Sequence, residues 1–152
     1  MEHDIAVGNQ VIKIKGKADR IDAVGKVTRI VDYKTGLVDN KELKLEDWDV
    51  IRSDSSLAKS FQLLTYAWLY QKMNPEIKEN LVSGIITFRE LSAGLKPVKV
   101  NESSTLDVNV LNEFEKQLHQ LVSEIMDMKV DFSQTTELDN CEYCAFKGIC
   151  NR

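Results

Sequence analysis

Alternating apolar and polar residues mark the first part of the chain as a β-hairpin. Residues 10–24 (QVIKIKGKADRIDAV) alternate in type and predict a strand, with Gly16 as a candidate kink. Residues 27–34 (VTRIVDYK) predict the return strand. Gly25-Lys26 is the expected turn between them, because glycine in the first central position suits a type II′ turn.

Two later segments carry the pattern of helices. Residues 57–73 (LAKSFQLLTYAWLYQKM) contain no Gly or Pro and predict a helix that Asn74-Pro75 ends. Residues 106–128 predict a second helix, since their apolar residues recur at spacings of three and four and form one stripe. The stripe consists of Leu111, Phe114, Leu118, Leu121, Ile125 and Met128.

The remaining segments complete a mixed α/β arrangement. Residues 81–88 (LVSGIITF) predict a buried strand, and residues 95–100 its hairpin partner. Residues 36–56 are charged and irregular, and a connection of this length is expected to be a mobile loop or an insertion. The predicted order is β-β-α-β-β-α, which indicates a single α/β domain over residues 1–152.

Composition restricts the class of protein more than it identifies a function. The chain has 152 residues, of which 43% are hydrophobic and 29% charged, as is ordinary for one globular domain. No apolar run approaches the roughly 20 residues that cross a bilayer, and the N-terminus lacks the apolar segment of a signal peptide. We therefore expect a cytoplasmic protein without membrane contact. With a net charge of −4, nucleic-acid contact would need a local basic patch, for which the candidates are Lys13, Lys15, Lys17, Arg20, Lys59 and Lys72.

Four charged side chains are predicted to share one face of the hairpin. The turn at Gly25-Lys26 sets Asp19 opposite Asp32 and Lys17 opposite Lys34. Directly opposed residues have Cβ atoms about 4.5–5.5 Å apart, where like charges are destabilising. Two carboxylates at this distance can share a cation, and hard oxygen ligands at an open site suit Mg²⁺ or Mn²⁺. Lys34 can reach whatever such a metal holds.

A charge ladder without function is the alternative for this face. Lys17 and Lys34 would then neutralise the two aspartates in a solvated array. A one-residue slip at the turn would also move every side chain to the other face. On the opposite face, Asp22 and Arg29 are predicted to form a cross-strand ion pair.

Three short motifs follow one another along this part of the chain. Gly16 to Asp19 reads G-x-x-D, residues 32–34 read D-Y-K, and Gln62 with Tyr66 reads Q-x-x-x-Y on the first predicted helix. Together they resemble the PD-(D/E)XK nuclease superfamily, in particular the branch with the RecB and AddB recombination nucleases and their CRISPR-associated relatives. The resemblance implies a restriction-endonuclease-like core, in which helices flank a mixed central sheet.

The resemblance also implies a metal-dependent mechanism. Mg²⁺ (or Mn²⁺) would be bound by Asp19, Asp32 and the backbone carbonyl of Tyr33. Lys34 would position the attacking water or stabilise the charge that develops on the phosphate. These roles agree with the needs of phosphodiester hydrolysis, which requires a cation on the phosphate oxygens and an activated water.

Two helix residues complete the implied catalytic set. Gln62 and Tyr66 would help to hold the site and the DNA backbone. The alternative for Gln62 is an exposed helix residue. The alternative for Tyr66 is a core residue that packs beside Trp68 and Leu69.

Three cysteines are crowded into a tail predicted over residues 137–152. An odd number in this arrangement does not suit a disulfide framework, and in a reducing compartment such a cluster more often binds metal. The spacing resembles the C-terminal part of the motif with which AddB-like nucleases hold a [4Fe–4S] cluster, and Tyr143 and Phe146 could shield such a cluster from water. The fourth cysteine of that motif is missing, so free thiols or a zinc site are the alternatives for Cys141, Cys144 and Cys150.

The resemblance further implies that the chain is the C-terminal part of a longer protein. The family has a helix ahead of the first strand, and this helix and the fourth cysteine would lie upstream. A helicase or helicase-like region is expected in the same polypeptide or complex. Of the two histidines, His3 is expected to be disordered or part of a tag, and His119 to be solvated.

The leading hypothesis is a metal-dependent DNA nuclease domain of the recombination-repair type, and more narrowly an exonuclease. The alternative is a catalytically inactive nuclease-fold scaffold that binds DNA or a protein partner, although inactive domains usually lose one member of the Asp19–Asp32–Lys34 set. A third hypothesis, a thiolate metal module unrelated to nucleases, rests on the cysteines alone.

Overall fold

The computed structural model describes residues 1–77, 80–131 and 133–151. These residues form short strands, two α-helices and several 3-10 turns. Arg152, the last residue of the predicted tail, lies outside the described residues. The helices are α1 (Ala58–Met73) and α2 (Val108–Met126). The strands are β1 (Glu2–Val7), β2 (Gln10–Lys15), β3 (Arg20–Val24), β4 (Val27–Lys34), β5 (Lys44–Leu45), β6 (Leu81–Thr87), β7 (Lys96–Pro97) and β8 (Lys99–Val100).

The central sheet is mixed and has the strand order β3-β4-β6-β7. β4 pairs antiparallel with β3 and parallel with β6, and β7 returns antiparallel to β6. Parallel neighbours need a crossover connection, and α1 supplies it and packs against both strands. α2 packs on α1 and β1. The predicted mixed central sheet with helices packed against it is confirmed.

The β3–β4 hairpin has the register that the sequence predicts. Asp22 lies opposite Arg29, and Val24 lies opposite Val27. Gly25 adopts φ +61°, which glycine reaches without the steric cost that a Cβ would bring. The paired residues of the hairpin begin at β3, however. The predicted opposition of Asp19 to Asp32 and of Lys17 to Lys34 lies before that strand and is not part of the ladder.

The single strand predicted over residues 10–24 is wrong, because residues 16–19 separate β2 from β3 and place them in different sheets. A Cβ on Gly16 would lie 2.8 Å from Leu69 Cδ1 and 2.9 Å from Tyr66 Cδ1. Glycine therefore lets the bend between the two strands pass against α1. The candidate kink is a complete break in the ladder.

β2 pairs with β1, an N-terminal strand that the sequence analysis does not predict. β1 and β2 form an antiparallel two-stranded sheet, in which Val7 lies opposite Gln10 across a turn where Gly8 has φ +58°. His3 lies in β1, with its ring edge-on to Trp68 at a centroid distance of 5.2 Å. The expectation that His3 is disordered is therefore wrong, because its strand packs on α1.

The segment over residues 36–56 is packed against the rest of the domain. It contains two 3-10 helices and β5, which pairs in parallel with β8. Four of its apolar residues are buried, with exposed fractions of 4% or less for Val38, Leu43, Leu45 and Ile51. The expectation of a mobile loop or insertion is corrected, because these four side chains enter the core.

The two predicted helices are present with nearly the predicted bounds. Asp107 is the N-cap of α2, because its carboxylate accepts hydrogen bonds from the backbone amides of Asn109 and Val110. The predicted stripe is buried in its first half, but Ile125, in the last turn, is 53% exposed, and Met128, beyond the end of α2, is 99% exposed. Of the predicted partner strand over 95–100, β7 pairs with β6 and β8 joins β5. No helix within the described ranges is apolar and long enough to cross a bilayer.

Candidate active site

The centre of the candidate site is a buried aspartate at the carboxyl end of β4. Asp32 is 5% exposed, on the face of the sheet that α1 covers. Lys34, two residues on and therefore on the same face, places its Nζ 2.9 Å from Asp32 Oδ2. The two charges in the D-Y-K motif thus form an ion pair, in which the lysine retains a partly exposed side chain (32%).

Asp32 Oδ2 lacks a second partner. Apart from the ion pair with Lys34, this buried oxygen accepts no hydrogen bond from the part of the chain that the structure describes. A buried carboxylate oxygen in this condition is costly unless another cation or donor completes its surroundings. The position is therefore suited to a metal ion or to a water bound with a substrate.

Asp19 is placed beside the same stretch of β4. It lies in the break between β2 and β3, and its Oδ2 accepts a hydrogen bond of 2.8 Å from the backbone amide of Tyr33. That amide belongs to the peptide unit between Asp32 and Tyr33. Asp19 is exposed and Asp32 is buried, so the two acidic residues flank one peptide of the strand from different environments.

Gln62 and Tyr66 of α1 extend the site by two hydrogen bonds. Lys34 Nζ donates to Gln62 Oε1 at 3.2 Å, and Gln62 Nε2 donates to the Tyr66 hydroxyl at 2.8 Å. Both bonds use the same orientation of the Gln62 amide, which fixes its oxygen toward the lysine. The two helix residues, one turn apart, therefore belong to one chain of contacts that reaches Asp32.

Tyr66 also fits the alternative of a core residue, because it is 9% exposed and its ring lies against the bend at Gly16. Gln62 is half-buried, so the alternative of an exposed helix residue is not what the structure shows. The structure thus brings the G-x-x-D and D-Y-K segments together against α1, which carries the Q-x-x-x-Y residues. It does not place Lys17 in this set.

The charges on the opposite face of the hairpin form a separate group. Arg29 donates to both oxygens of Asp22 at 2.7 and 2.8 Å, so the predicted ion pair is present. Arg20 contacts the same carboxylate at 2.6 Å. The Arg29 guanidinium, followed by Arg20, holds the pKa of Asp22 below its usual value. Asp22 is therefore engaged by two arginines and is separated from the candidate site by the sheet.

The candidate DNA-contacting residues are largely neutralised by neighbouring carboxylates. Lys13 and Lys15 both pair with Glu2. The other three ion pairs are Arg20 with Asp22, Lys59 with Glu42 and Lys72 with Glu115. A broad basic surface does not arise from these five residues, since each cation has an anion beside it.

Residues that sequence reasoning missed secure the chain after Lys34. The backbone carbonyl of Lys34 accepts a hydrogen bond from the Phe88 amide, and the Thr87 hydroxyl donates to the Gly36 carbonyl. Lys96 Nζ donates to the Val38 carbonyl at 3.1 Å. These contacts depend on the parallel pairing of β4 with β6, which no local sequence pattern reveals.

No hydrogen bond within the described residues joins the three cysteines to this site. Cys141, Cys144 and Cys150 are free thiols of intermediate exposure. Tyr143 and Phe146 are 91% and 68% exposed, so they shield nothing in this conformation. Within residues 1–77, 80–131 and 133–151, no group of three or more His, Cys, Asp or Glu side chains is arranged to hold a metal. The metal-binding role of the cysteines stays a prediction.

Comparison with known proteins places the chain in a family. A solved structure described as "Crystal structure of SSO0001" is similar, with 22% identity and a TM-score of 0.44, over 99% of this chain and 56% of that chain. This chain thus spans little more than half the length of that protein. No curated protein matches. A family model described as the PD-(D/E)XK nuclease superfamily matches residues 1–151, so the chain belongs to this superfamily and has the predicted restriction-endonuclease-like core.

Proposed function

We propose that this chain is the nuclease domain of a DNA exonuclease that depends on Mg²⁺ or Mn²⁺ and acts in recombination or repair, as RecB and AddB do. Membership of the superfamily implies a nuclease that hydrolyses phosphodiester bonds, and its members typically use divalent metals such as Mg²⁺. The observation that carries the proposal is the contact chain from buried Asp32 through Lys34 to Gln62. A helicase or helicase-like partner belongs to the same proposal.

The donor atoms of the site fit a hard divalent cation. Asp32 offers a buried carboxylate oxygen without a hydrogen bond, Asp19 offers the oxygen that its contact with Tyr33 leaves free, and the Tyr33 carbonyl would be the third ligand. Carboxylates and carbonyls are the ligands that Mg²⁺ prefers, with water and substrate phosphate at the remaining positions. The chemistry that such an ion supplies when bound is polarisation of the phosphate and acidification of a water.

Lys34 has the position of a fixed cation beside the reacting phosphate. Its ammonium is held between Asp32 and Gln62, at 2.9 and 3.2 Å, and its side chain is still partly open to solvent. A preorganised positive charge stabilises an oxygen that gains negative charge in the transition state, without reorganisation at that moment. The third ammonium hydrogen would be available to orient a water or to donate to the phosphate.

Gln62 and Tyr66 act as positioning residues in this proposal. The Tyr66 hydroxyl accepts from Gln62 Nε2, and this contact keeps Gln62 Oε1 directed at Lys34. Tyr66 is itself fixed by packing against the break at Gly16. The helix therefore restricts where the lysine ammonium lies, as a catalytic group held by packed neighbours requires.

Calorimetric titration with Mn²⁺ tests the proposal, with Asp32→Ala as the variant and Asp49→Ala as the control. Asp49 is an exposed carboxylate outside the site, and its amide rather than its carboxylate makes the hydrogen bond recorded for it. We expect saturable binding to the wild type and to Asp49→Ala, and none to Asp32→Ala. Cleavage of end-labelled DNA with Mn²⁺ is expected to fall to background in Asp32→Ala alone.

Binding that survives in Asp32→Ala would move the metal away from β4 and contradict the proposed site. Metal binding without cleavage, under conditions where the protein binds DNA, would favour the inactive scaffold instead. Release of mononucleotides from DNA ends supports exonuclease action, whereas cleavage of a closed circular substrate would contradict it.

A further inference from the structure

A pair of stacked aromatic rings lies at the end of the central sheet. The Tyr33 and Phe88 rings are nearly parallel, with centroids 5.7 Å apart and an interplanar angle of 12°. Phe88 is 55% exposed, so the pair is not part of the core. Offset stacking of this kind stabilises the two rings against each other and leaves an outer π-face open to solvent.

The pair is attached directly to the backbone of the candidate site. Tyr33 lies between Asp32 and Lys34, and its side chain leaves the opposite face of the sheet because side chains alternate along a strand. Phe88 follows the last residue of β6, and its amide donates to the carbonyl of Lys34. Both rings therefore stand at the carboxyl ends of two parallel strands, and Tyr33 is one residue away from each of the proposed catalytic groups.

An arginine from the neighbouring strand lies on the same face as Tyr33, and a second arginine is next to Phe88 in the sequence. Arg20 is paired with Val31 across the hairpin and so shares the face of Tyr33. The Tyr33 hydroxyl, followed by Asp22, holds the pKa of Arg20 above its usual value. Arg89 follows Phe88 in the chain and is exposed. A phosphate group would compete with Asp22 for Arg20, whereas exposed Arg89 forms no ion pair within the described residues.

This combination favours a single strand over a duplex. Within residues 1–77, 80–131 and 133–151, most basic side chains, Arg20 included, are paired with carboxylates, so these residues do not form the broad positive surface that duplex backbones need. Bases in a duplex are stacked on each other and cannot present their faces to a protein ring. Bases of a single strand can, and aromatic platforms with nearby arginines are how proteins hold single strands without reading sequence.

We propose that the Tyr33–Phe88 pair is a stacking platform for a base of single-stranded DNA, next to the scissile phosphate. The inference rests on the proposed function and deepens it, because it makes single-stranded DNA or a frayed end the form in which substrate is bound. A strand whose base stacks on Phe88 passes around the end of β4 toward the face with Asp32 and Lys34.

Binding of a fluorescent oligothymidylate without divalent metal tests this proposal and prevents cleavage during the measurement. Phe88→Ala removes the open ring, and we expect its dissociation constant to rise roughly tenfold, since one base–aromatic stack contributes on this scale. Phe88→Tyr keeps a ring and is expected to bind like the wild type. Val24→Ala is the matched control. Val24 lies on β3, on the same face of the sheet as Tyr33, and like Phe88 it is 55% exposed.

Equal affinities of Phe88→Ala and Val24→Ala would overturn the platform and leave the exposed rings as a contact for a protein partner. An equal loss of affinity for a blunt hairpin duplex would also overturn it, since the ring would then act on DNA in general. The proposed function fails separately, if Asp32→Ala retains cleavage. Circular dichroism and the thermal midpoint of Phe88→Ala verify that the variant is folded.

Discussion

The β4–α1 region and the cysteine tail carry the two sets of residues that motifs single out, and the structure treats them differently. In the first region, Asp32 is 5% exposed and Lys34 connects it to Gln62. In the tail, Tyr143 is 91% and Ile149 is 84% exposed, and the thiols are only partly covered. One set is held by the core, and the other lies outside it.

The difference shows what makes a motif into a site. The motif residues of β4 and α1 sit on elements whose other residues are buried, such as Ile30, Leu63 and Leu69 with exposed fractions of 0%. Folding of the core therefore fixes these side chains before any ligand arrives, and the entropy of ordering them is lost at that stage. The tail has no comparable anchor within the described residues, so a ligand would itself have to order it.

Replacement of Lys34 by alanine gives the largest effect that separates the two regions. The variant loses the cation that lies 2.9 Å from Asp32, and we expect the single-turnover rate of DNA cleavage to fall roughly 10²–10³-fold, as when one preorganised donor is removed from a site. Mn²⁺ affinity should stay within about threefold, because lysine is not a metal ligand. Rapid-quench kinetics and calorimetry measure the two quantities.

Lys147→Ala in the tail is the control for this experiment. Lys147 is exposed, and within the described residues no hydrogen bond or ion pair joins its side chain to the site. A similar loss of rate in both variants would mean that general positive charge supports DNA binding, and it would contradict a specific role for Lys34. A loss of Mn²⁺ binding in Lys34→Ala would contradict the assigned division between ligands and cation.

Two glycines allow the same comparison for stability. An added Cβ on Gly16 would lie 2.8 Å from Leu69 Cδ1, whereas a Cβ on Gly148 would meet nothing within 4 Å. We expect Gly16→Ala to lower the free energy of unfolding by about 1–3 kcal/mol through overpacking. Gly148→Ala should change it by less than about 0.5 kcal/mol. Urea denaturation followed by Trp fluorescence measures both.

The stability of Gly16→Ala also tests the geometry of the site, because the added Cβ would crowd Tyr66 as well as Leu69. If Gly16→Ala were as stable as the wild type, the close approach of the bend to α1 would be incorrect. In that case the G-x-x-D glycine would need another explanation than packing against the helix.

Local patterns predicted those parts of the fold that depend on neighbouring residues. The hairpin register followed from the turn at Gly25, and the lack of Gly and Pro predicted α1. The Gly8-Asn9 turn ahead of β2 was an available hairpin signal, and its omission left β1 unpredicted. The loop prediction for residues 36–56 gave more weight to the charges than to the apolar residues, four of which the core buries.

The contacts of the site depend on longer-range packing. Charge patterns placed Asp32 and Lys34 on one face, but the burial of Asp32 follows from α1, which covers that face only after the crossover forms. The link from Lys34 to Gln62 joins residues 28 apart in sequence. Only the resemblance to a family suggested that these residues act together, since no periodicity connects a strand with a helix at that distance.

Substitution of all three cysteines by serine should have the smallest effect of these changes. Because Cys141, Cys144 and Cys150 are not among the proposed metal ligands, we expect the variant to bind Mn²⁺ within about twofold of the wild-type affinity and to cleave DNA at the wild-type rate. The free energy of unfolding should change by less than about 1 kcal/mol, as for residues outside the core. Loss of Mn²⁺ binding in this variant would assign the metal to the thiolates, remove the difference between the two regions, and support a thiolate module against the nuclease site on β4.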